Sequence, residues 1–172
     1  MNAYDATSEN VGYRGPTACA AAGITYRQLD YWARTGLVEP SVRAAYGSGT
    51  QRLYSFRDVV VLKIVKRFLD TGVALQNIRA TVQHLRERGS ADLERVTLMS
   101  DGATVYECSS PDEVVDLLQG GQGIFGIAVG VVWRDVAAAL SELHGERVDT
   151  GETLLGQHPS DELARRRRDR AG

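Results

Sequence analysis

The chain has 172 residues, 43% of them hydrophobic and 24% charged, which is the composition of a globular chain with room for one medium domain or two small ones. No apolar run approaches the ~18 residues of a membrane-crossing helix, and two lone cysteines, Cys19 and Cys108, argue against a disulfide framework or a cysteine-rich metal site and for small buried thiols. The net charge of −2 hides a split: residues 11–90 hold 12 Lys and Arg against 5 Asp and Glu, net +7, while residues 91–164 hold 3 against 14, net −11.

The first 11 residues are polar and lack a basic-then-apolar signal pattern, so a disordered cytoplasmic leader is expected over 1–11. "PTACAAA", residues 16–22, predicts a short alanine-rich helix with Pro at its first position and Gly23 at its end. Thr25 with Gln28 three residues on forms a capping box that opens a second helix. In that helix Leu29 and Trp32 can pack inward while Arg27, Asp30, Tyr31 and Arg34 occupy other faces. Helix, tight glycine turn, helix is the two-helix unit whose second helix enters the major groove of DNA. After Pro40, short extended pieces around Val42–Tyr46 and Gln51–Tyr54 flank "GSGT", which predicts a Gly-tipped hairpin with Arg43 and Arg52 on its arms. A basic hairpin beside such a reader is a wing, and wings lie along the phosphate backbone. Ser55 caps a helix that stops at Gly72, and a further helix with Leu75, Ile78, Val82 and Leu85 at helical spacing ends at Gly89.

Beyond Gly89 the pattern changes. Two alternating segments surround Asp101-Gly102, a hairpin signal. A short helix over "PDEVVDLLQGG", an apolar strand or buried run "IFGIAVGVV" and a helix "WRDVAAALSEL" follow. This β-β-α-β-α unit has little core of its own and is expected to share a sheet or face with a second copy. Residues 146–172 are polar and are expected to form a disordered tail, with five Arg in its last eight residues.

"ITYRQLDYWARTGLVEP" followed by "YGSGTQRLYSFRDVVVLKIVK" and "TGVALQNIRA" resembles the MerR family of bacterial transcription regulators. The shared features are the aromatic pair Tyr31-Trp32, the Gly36-Leu37 step, the basic Gly-rich wing ending in Arg52-Leu53-Tyr54, and two further helices. The whole chain is similar to actinobacterial members of that family linked to cell division and growth recovery. The resemblance implies a cytoplasmic, nucleoid-associated regulator that binds double-stranded DNA. Typical members carry an Arg before the aromatic pair where this chain has Asp30, and a long pairing helix after the reader, of which no sustained heptad is seen here. The expected fold is therefore α+β. A four-helix winged helix-turn-helix domain spans 12–89, and a small α+β unit over 91–145, for dimerisation or an effector, takes the place of the coiled coil.

On this reading Thr25, Tyr26 and Arg27 lie at the groove-facing end of the second helix. Tyr31 and Arg34 meet phosphate or sugar, and Arg43, Gln51, Arg52 and Tyr54 make backbone or minor-groove contacts from the wing. Residues 121–126 fit G-x-G-x-x-G but follow a helix and open an apolar run, so they are read as a turn and not as a dinucleotide site. Asp112, Glu113 and Asp116 lie without a nucleophile or base, and the three histidines are scattered, so no catalytic role, metal site or cofactor is assigned. The expected partners are DNA and a second copy through 91–145. Two alternatives stay open. In one the 91–145 unit binds a small molecule or nucleotide and gates DNA binding. In the other the acidic half docks on transcription machinery such as RNA polymerase.

Overall fold

The computed structural model describes residues 5–42, 52–102, 104–114 and 125–154. Helix α1 (Gly15–Ala22) ends where Gly23, at φ 73°, adopts the left-handed conformation and donates its N–H to the Cys19 carbonyl. Helix α2 (Tyr26–Arg34) opens on the expected capping box: Gln28 N donates to Thr25 Oγ1 at 3.1 Å, and Thr25 N donates to Gln28 Oε1 at 3.0 Å. Its apolar face, Leu29 and Trp32, is buried. Helix α3 (Phe56–Asp70) starts on a second capping box, Ser55 with Asp58, and helix α4 (Leu75–Glu87) follows the turn at Gly72. A six-residue helix α5 (Ser90–Arg95) leads into the second half.

That half holds β3 (Thr97–Ser100), β4 (Val105–Cys108) and β5 (Phe125–Ala128), an antiparallel sheet in the order β4-β3-β5. The hairpin expected around Asp101-Gly102 is the β3–β4 pair, with Ser100 opposite Val105 and Gly102 at φ 95°. The apolar run after it divides earlier than its composition suggests. The strand stops at Ala128, and helix α6 (Val129–Ser141) begins four residues before Trp133. Val129 N donates to the Val96 carbonyl at 3.0 Å, so the helix start is satisfied from the end of α5. A Cβ at Gly130 would sit 2.7 Å from the Glu94 carbonyl oxygen, and only glycine allows this approach. Gly130→Ala is expected to lower stability by about 1–3 kcal/mol through overpacking against backbone; thermal unfolding checks it.

The ends of the described chain depart from expectation. Residues 5–11 were expected to be disordered, yet Ser8 N and Val11 N donate to the Asp5 and Ser8 carbonyls, and Tyr13 Oη donates to the Ala6 carbonyl at 2.7 Å. Strand β1 (Val11–Arg14) then pairs on one side with β2 (Leu53–Tyr54) and on the other with β6 (Gly145–Arg147). A fourth strand, β7 (Thr153–Leu154), completes the order β2-β1-β6-β7. The start of the expected tail is therefore structured through residue 154. Strands of two to four residues have no periodicity of their own to read, and they hold because ladder partners satisfy their backbone groups. Residues 155–172, with the arginine run, lie outside the described residues, as do 43–51.

The expected boundary between 89 and 91 does not separate two cores. One buried apolar cluster runs from Tyr13, Leu29 and Trp32 through Val59, Ile64 and Phe68 to Leu98, Ile127, Val132, Val136 and Leu140. Phe56 of α3 meets Trp133 of α6 edge to face at 4.7 Å, and Phe68 meets Phe125 at 6.4 Å. The thin second unit was expected to share a face with another copy; in this chain it shares that face with α1 and α3. Both cysteines are buried, and burial raises both thiol pKa values.

Candidate nucleic-acid interface

Because Leu29 and Trp32 turn α2 inward, its opposite side is left to solvent. Tyr26 and Tyr31 are 59% and 55% exposed, and Arg27 and Arg34 are exposed beside them. Thr25 sits at the helix start with its hydroxyl oxygen engaged by Gln28 N, so its first role is to hold that end of the helix. The helix stops at Thr35 and Gly36, where Leu37 N and Val38 N both donate to the Trp32 carbonyl. Gly36 takes φ 75°, so a side chain there would strain the turn.

Arg52 meets this helix through a carboxylate. Arg52 Nη1 donates to Asp30 Oδ1 at 2.7 Å, and Arg34 Nε lies 2.9 Å from Asp30 Oδ2. Hydrogen bonding from Arg52 is the main cause that lowers the Asp30 pKa, and the same bond raises that of Arg52. The acid at the position before the aromatic pair therefore holds one arginine from its own helix, Arg34, and one from beyond it, Arg52. The tie is intact at neutral pH. A lowered carboxylate pKa contributes above the unfolded value, and the contribution fades as pH falls through the folded value.

Arg43 and Gln51 lie outside the described residues. Tyr54 is a correction: it was expected on the DNA-facing side of the wing, but it is 0% exposed. The cause is pairing. Strand β2 lies against β1, with Tyr54 opposite Tyr13, and this draws the ring into the core. Burial pushes its pKa to about 12. Its hydroxyl has no hydrogen-bond partner among the described residues. An unpaired buried hydroxyl costs about 1–3 kcal/mol, so Tyr54→Phe is expected to leave stability unchanged or raise it, with DNA affinity unaltered. Chemical denaturation and a duplex titration check the two halves of that expectation.

Other cations of the basic half are already committed. Arg14 Nε meets Glu146 at 3.0 Å, and Arg88 Nη2 meets Glu107 at 2.6 Å, so two acids of the second half neutralise two bases of the first. Arg79 Nη1 donates to the Thr35 carbonyl at 3.1 Å and Arg86 Nη2 to the Glu39 carbonyl at 2.9 Å, clasping the turn after α2 to α4. The sequence reading did not single out these clasping arginines. Helical spacing alone does not reveal which carbonyl an exposed arginine reaches.

A helix that exposes two tyrosines and two arginines, with Arg52 tied to it through Asp30, is the arrangement of a DNA-reading module. Residues 13–89 match the family described as MerR HTH family regulatory protein. An uncharacterized HTH-type transcriptional regulator of Mycobacterium tuberculosis (strain ATCC 25618 / H37Rv) is 65% identical over 162 residues, covering 94% of this chain and 71% of that protein. The HTH-type transcriptional regulator HmrR of Sinorhizobium medicae is 29% identical over 83 residues, 47% of this chain and 54% of that protein. Heavy metal-dependent transcription regulator 1 of Rhizobium meliloti is 27% identical over 86 residues, 49% of this chain and 56% of that protein. The similarity to the two shorter matches is thus confined to a stretch about the length of the reader, while the mycobacterial relative matches through the second half as well. The chain is a transcriptional regulator with a DNA-binding domain, not an enzyme, and it belongs to the MerR HTH family.

Proposed function

We propose that this regulator binds double-stranded DNA sequence-specifically. Helix α2 lies in the major groove, Tyr26 and Arg27 reach base edges, and Tyr31 and Arg34 meet the backbone. The 43–52 segment, with Arg43, Gln51 and Arg52, lies on the flanking phosphates. The observation that supports this reading is the 2.7 Å tie from Arg52 to Asp30, which holds Arg52 against α2, the helix that carries Arg27. The protein acts as a homodimer through residues 91–145 on the nucleoid, at genes of division and growth recovery. A two-fold pair of readers doubles the contacts and sets half-site spacing.

The test is a pair of duplexes: one selected for tight binding from a random double-stranded pool, and its scrambled counterpart. Arg27→Ala is expected to cost about 1–3 kcal/mol on the selected duplex, the value of a bidentate base contact, and much less on the scrambled one. Equal losses on both would remove Arg27 from base reading. A mass measurement in solution checks the dimer.

A second reading is favoured by one cavity. A space of about 260 Å³ lies among Thr7, Ser41, Val42, Phe56, Arg57 and Trp133. It joins the wing root to the second half, so a small molecule seated there would bear on the wing. Trp133 fluorescence, titrated with candidate metabolites in the presence and absence of duplex, tests this gating.

A further inference from the structure

Helix α4 reaches across to the end of α2 through two arginines. Arg79 and Arg86 lie about two helical turns apart on α4, so both side chains leave the same face. Arg79 holds the carbonyl of Thr35, the residue on which α2 stops, and Arg86 holds that of Glu39, beyond the Gly36 turn. The two bonds bracket the chain as it leaves α2. Apolar packing leaves this joint partly open: a groove of about 450 Å³ lies between the turn and α4, lined by Gly36, Leu37, Val82 and Gln83 as well as the two arginines. The support behind the clasp is firm. Ile78, Val82 and Leu85 bury α4 in the core, and Arg57 of α3 donates to the Leu85 and Arg88 carbonyls at its end. Arg86 is itself oriented, with Asp58 Oδ1 3.7 Å from its Nη2, while Asp58 Oδ2 accepts from Ser55 N, Ser41 N and Ser41 Oγ.

Helix α2 depends on such support. It has nine residues and buries only Leu29 and Trp32 of its own side chains, one turn apart. Its tilt therefore follows whatever holds the segments at its two ends. At the far end these holds are the buried pair Leu37 and Val38 together with the clasp. We infer that Arg79 and Arg86 are positioning residues for base recognition: they set the tilt of α2 from the fixed frame of α4 and act through that helix, without touching DNA themselves. This rests on the DNA-binding reading above. A hydrogen bond to a base edge weakens steeply with angle, whereas attraction between an arginine and a phosphate varies slowly with distance. Loss of the clasp therefore falls on discrimination between sequences and spares the salt-dependent part of affinity.

The experiment uses the full chain, the selected duplex and its scrambled counterpart, with affinity measured by fluorescence anisotropy across a salt series. Arg79→Ala and Arg86→Ala are each expected to lower the ratio of selected to scrambled affinity by about three- to tenfold, up to the value of one base contact. The slope of log affinity against log salt is expected to stay unchanged, where an arginine that met phosphate directly would flatten it by about 0.9. In the Arg27→Ala background, where the proposed base-reading side chain is gone, Arg86→Ala is expected to lose most of its effect on the ratio. A merely structural role lowers the fraction of active protein and so costs both duplexes equally. Equal losses on the two duplexes, a flattened slope, or an undiminished effect in the Arg27→Ala background overturns the inference. If circular dichroism finds Arg86→Ala unfolded through the loss of its Asp58 partner, the same measurements on Arg79→Ala, which leaves Asp58 and Arg86 in place, decide the question. A wild-type chain that does not separate the selected duplex from the scrambled one overturns the DNA-binding reading itself, and that failure is visible before any variant is made.

Discussion

On the proposed DNA-binding reading, replacing Arg52 by alanine is expected to weaken binding to every duplex by roughly tenfold or more at low salt, through loss of a charge-assisted phosphate contact. The geometry adds a second expectation. Asp30 gives up one of its two arginine partners in that variant, and it stays ionised at neutral pH with Arg34 alone beside it. On the same reading, an unbalanced carboxylate on α2 then repels phosphate. The double variant Asp30→Ala with Arg52→Ala is therefore expected to bind more tightly than Arg52→Ala alone. Anisotropy titrations of wild type, both single variants and the double variant give the coupling directly. A double variant as weak as, or weaker than, Arg52→Ala would mean that Asp30 contributes nothing against DNA once released. Sequence discrimination is expected to survive all three changes, because Arg27 and the first turn of α2, the proposed base-reading part, are untouched.

Removing the Phe56 ring is expected to cost about 3–5 kcal/mol, a large share of the 5–15 kcal/mol that holds a domain together. Phe56 is 2% exposed, and its ring packs edge to face on Trp133 at 4.7 Å. The loss falls on the joint between the DNA-reading half and the acidic half. Because the two share one core, the chain is expected to unfold in a single step. Its two tryptophans report on opposite halves, Trp32 in α2 and Trp133 in α6. Single-tryptophan variants, Trp32→Phe and Trp133→Phe, should give superimposable denaturant transitions. Two separated transitions would instead mean that the halves are independent units. A fragment ending at residue 89 is expected to lack cooperative unfolding, since β1 then loses β6 and α3 loses α6.

Much of the reader was legible because its signals are local. Thr25 with Gln28, Ser55 ahead of its helix, Gly23, Gly36 and Gly72 at helix ends, and the Asp101-Gly102 turn each act within a few residues, where sequence spacing and physical contact coincide. Trp32 read as core for the same reason, since helical periodicity fixes which face it shares with Leu29. Tyr54 did not read correctly. An aromatic at the end of a basic hairpin looks the same whether it faces DNA or the interior, and its fate depends on pairing with β1, about 40 residues away. Residues 5–11 and 146–154 read as polar ends because neither segment carries a core pattern alone, and each is ordered by pairing along β1 and β6.

The amino-acid order by itself settles the helix boundaries of the reader, its capping chemistry and the separation of charge between the two halves, since all three follow from neighbours in the chain. Tertiary structure alone decides that the halves form one body and that Tyr54 turns inward. It also makes Asp30 an anchor between α2 and Arg52, and Asp58 one between Ser41 and the start of α3. Those outcomes depend on which distant groups meet, and a carboxylate's partners across 17 or 22 residues are set by how the helices pack, not by any spacing visible along the chain.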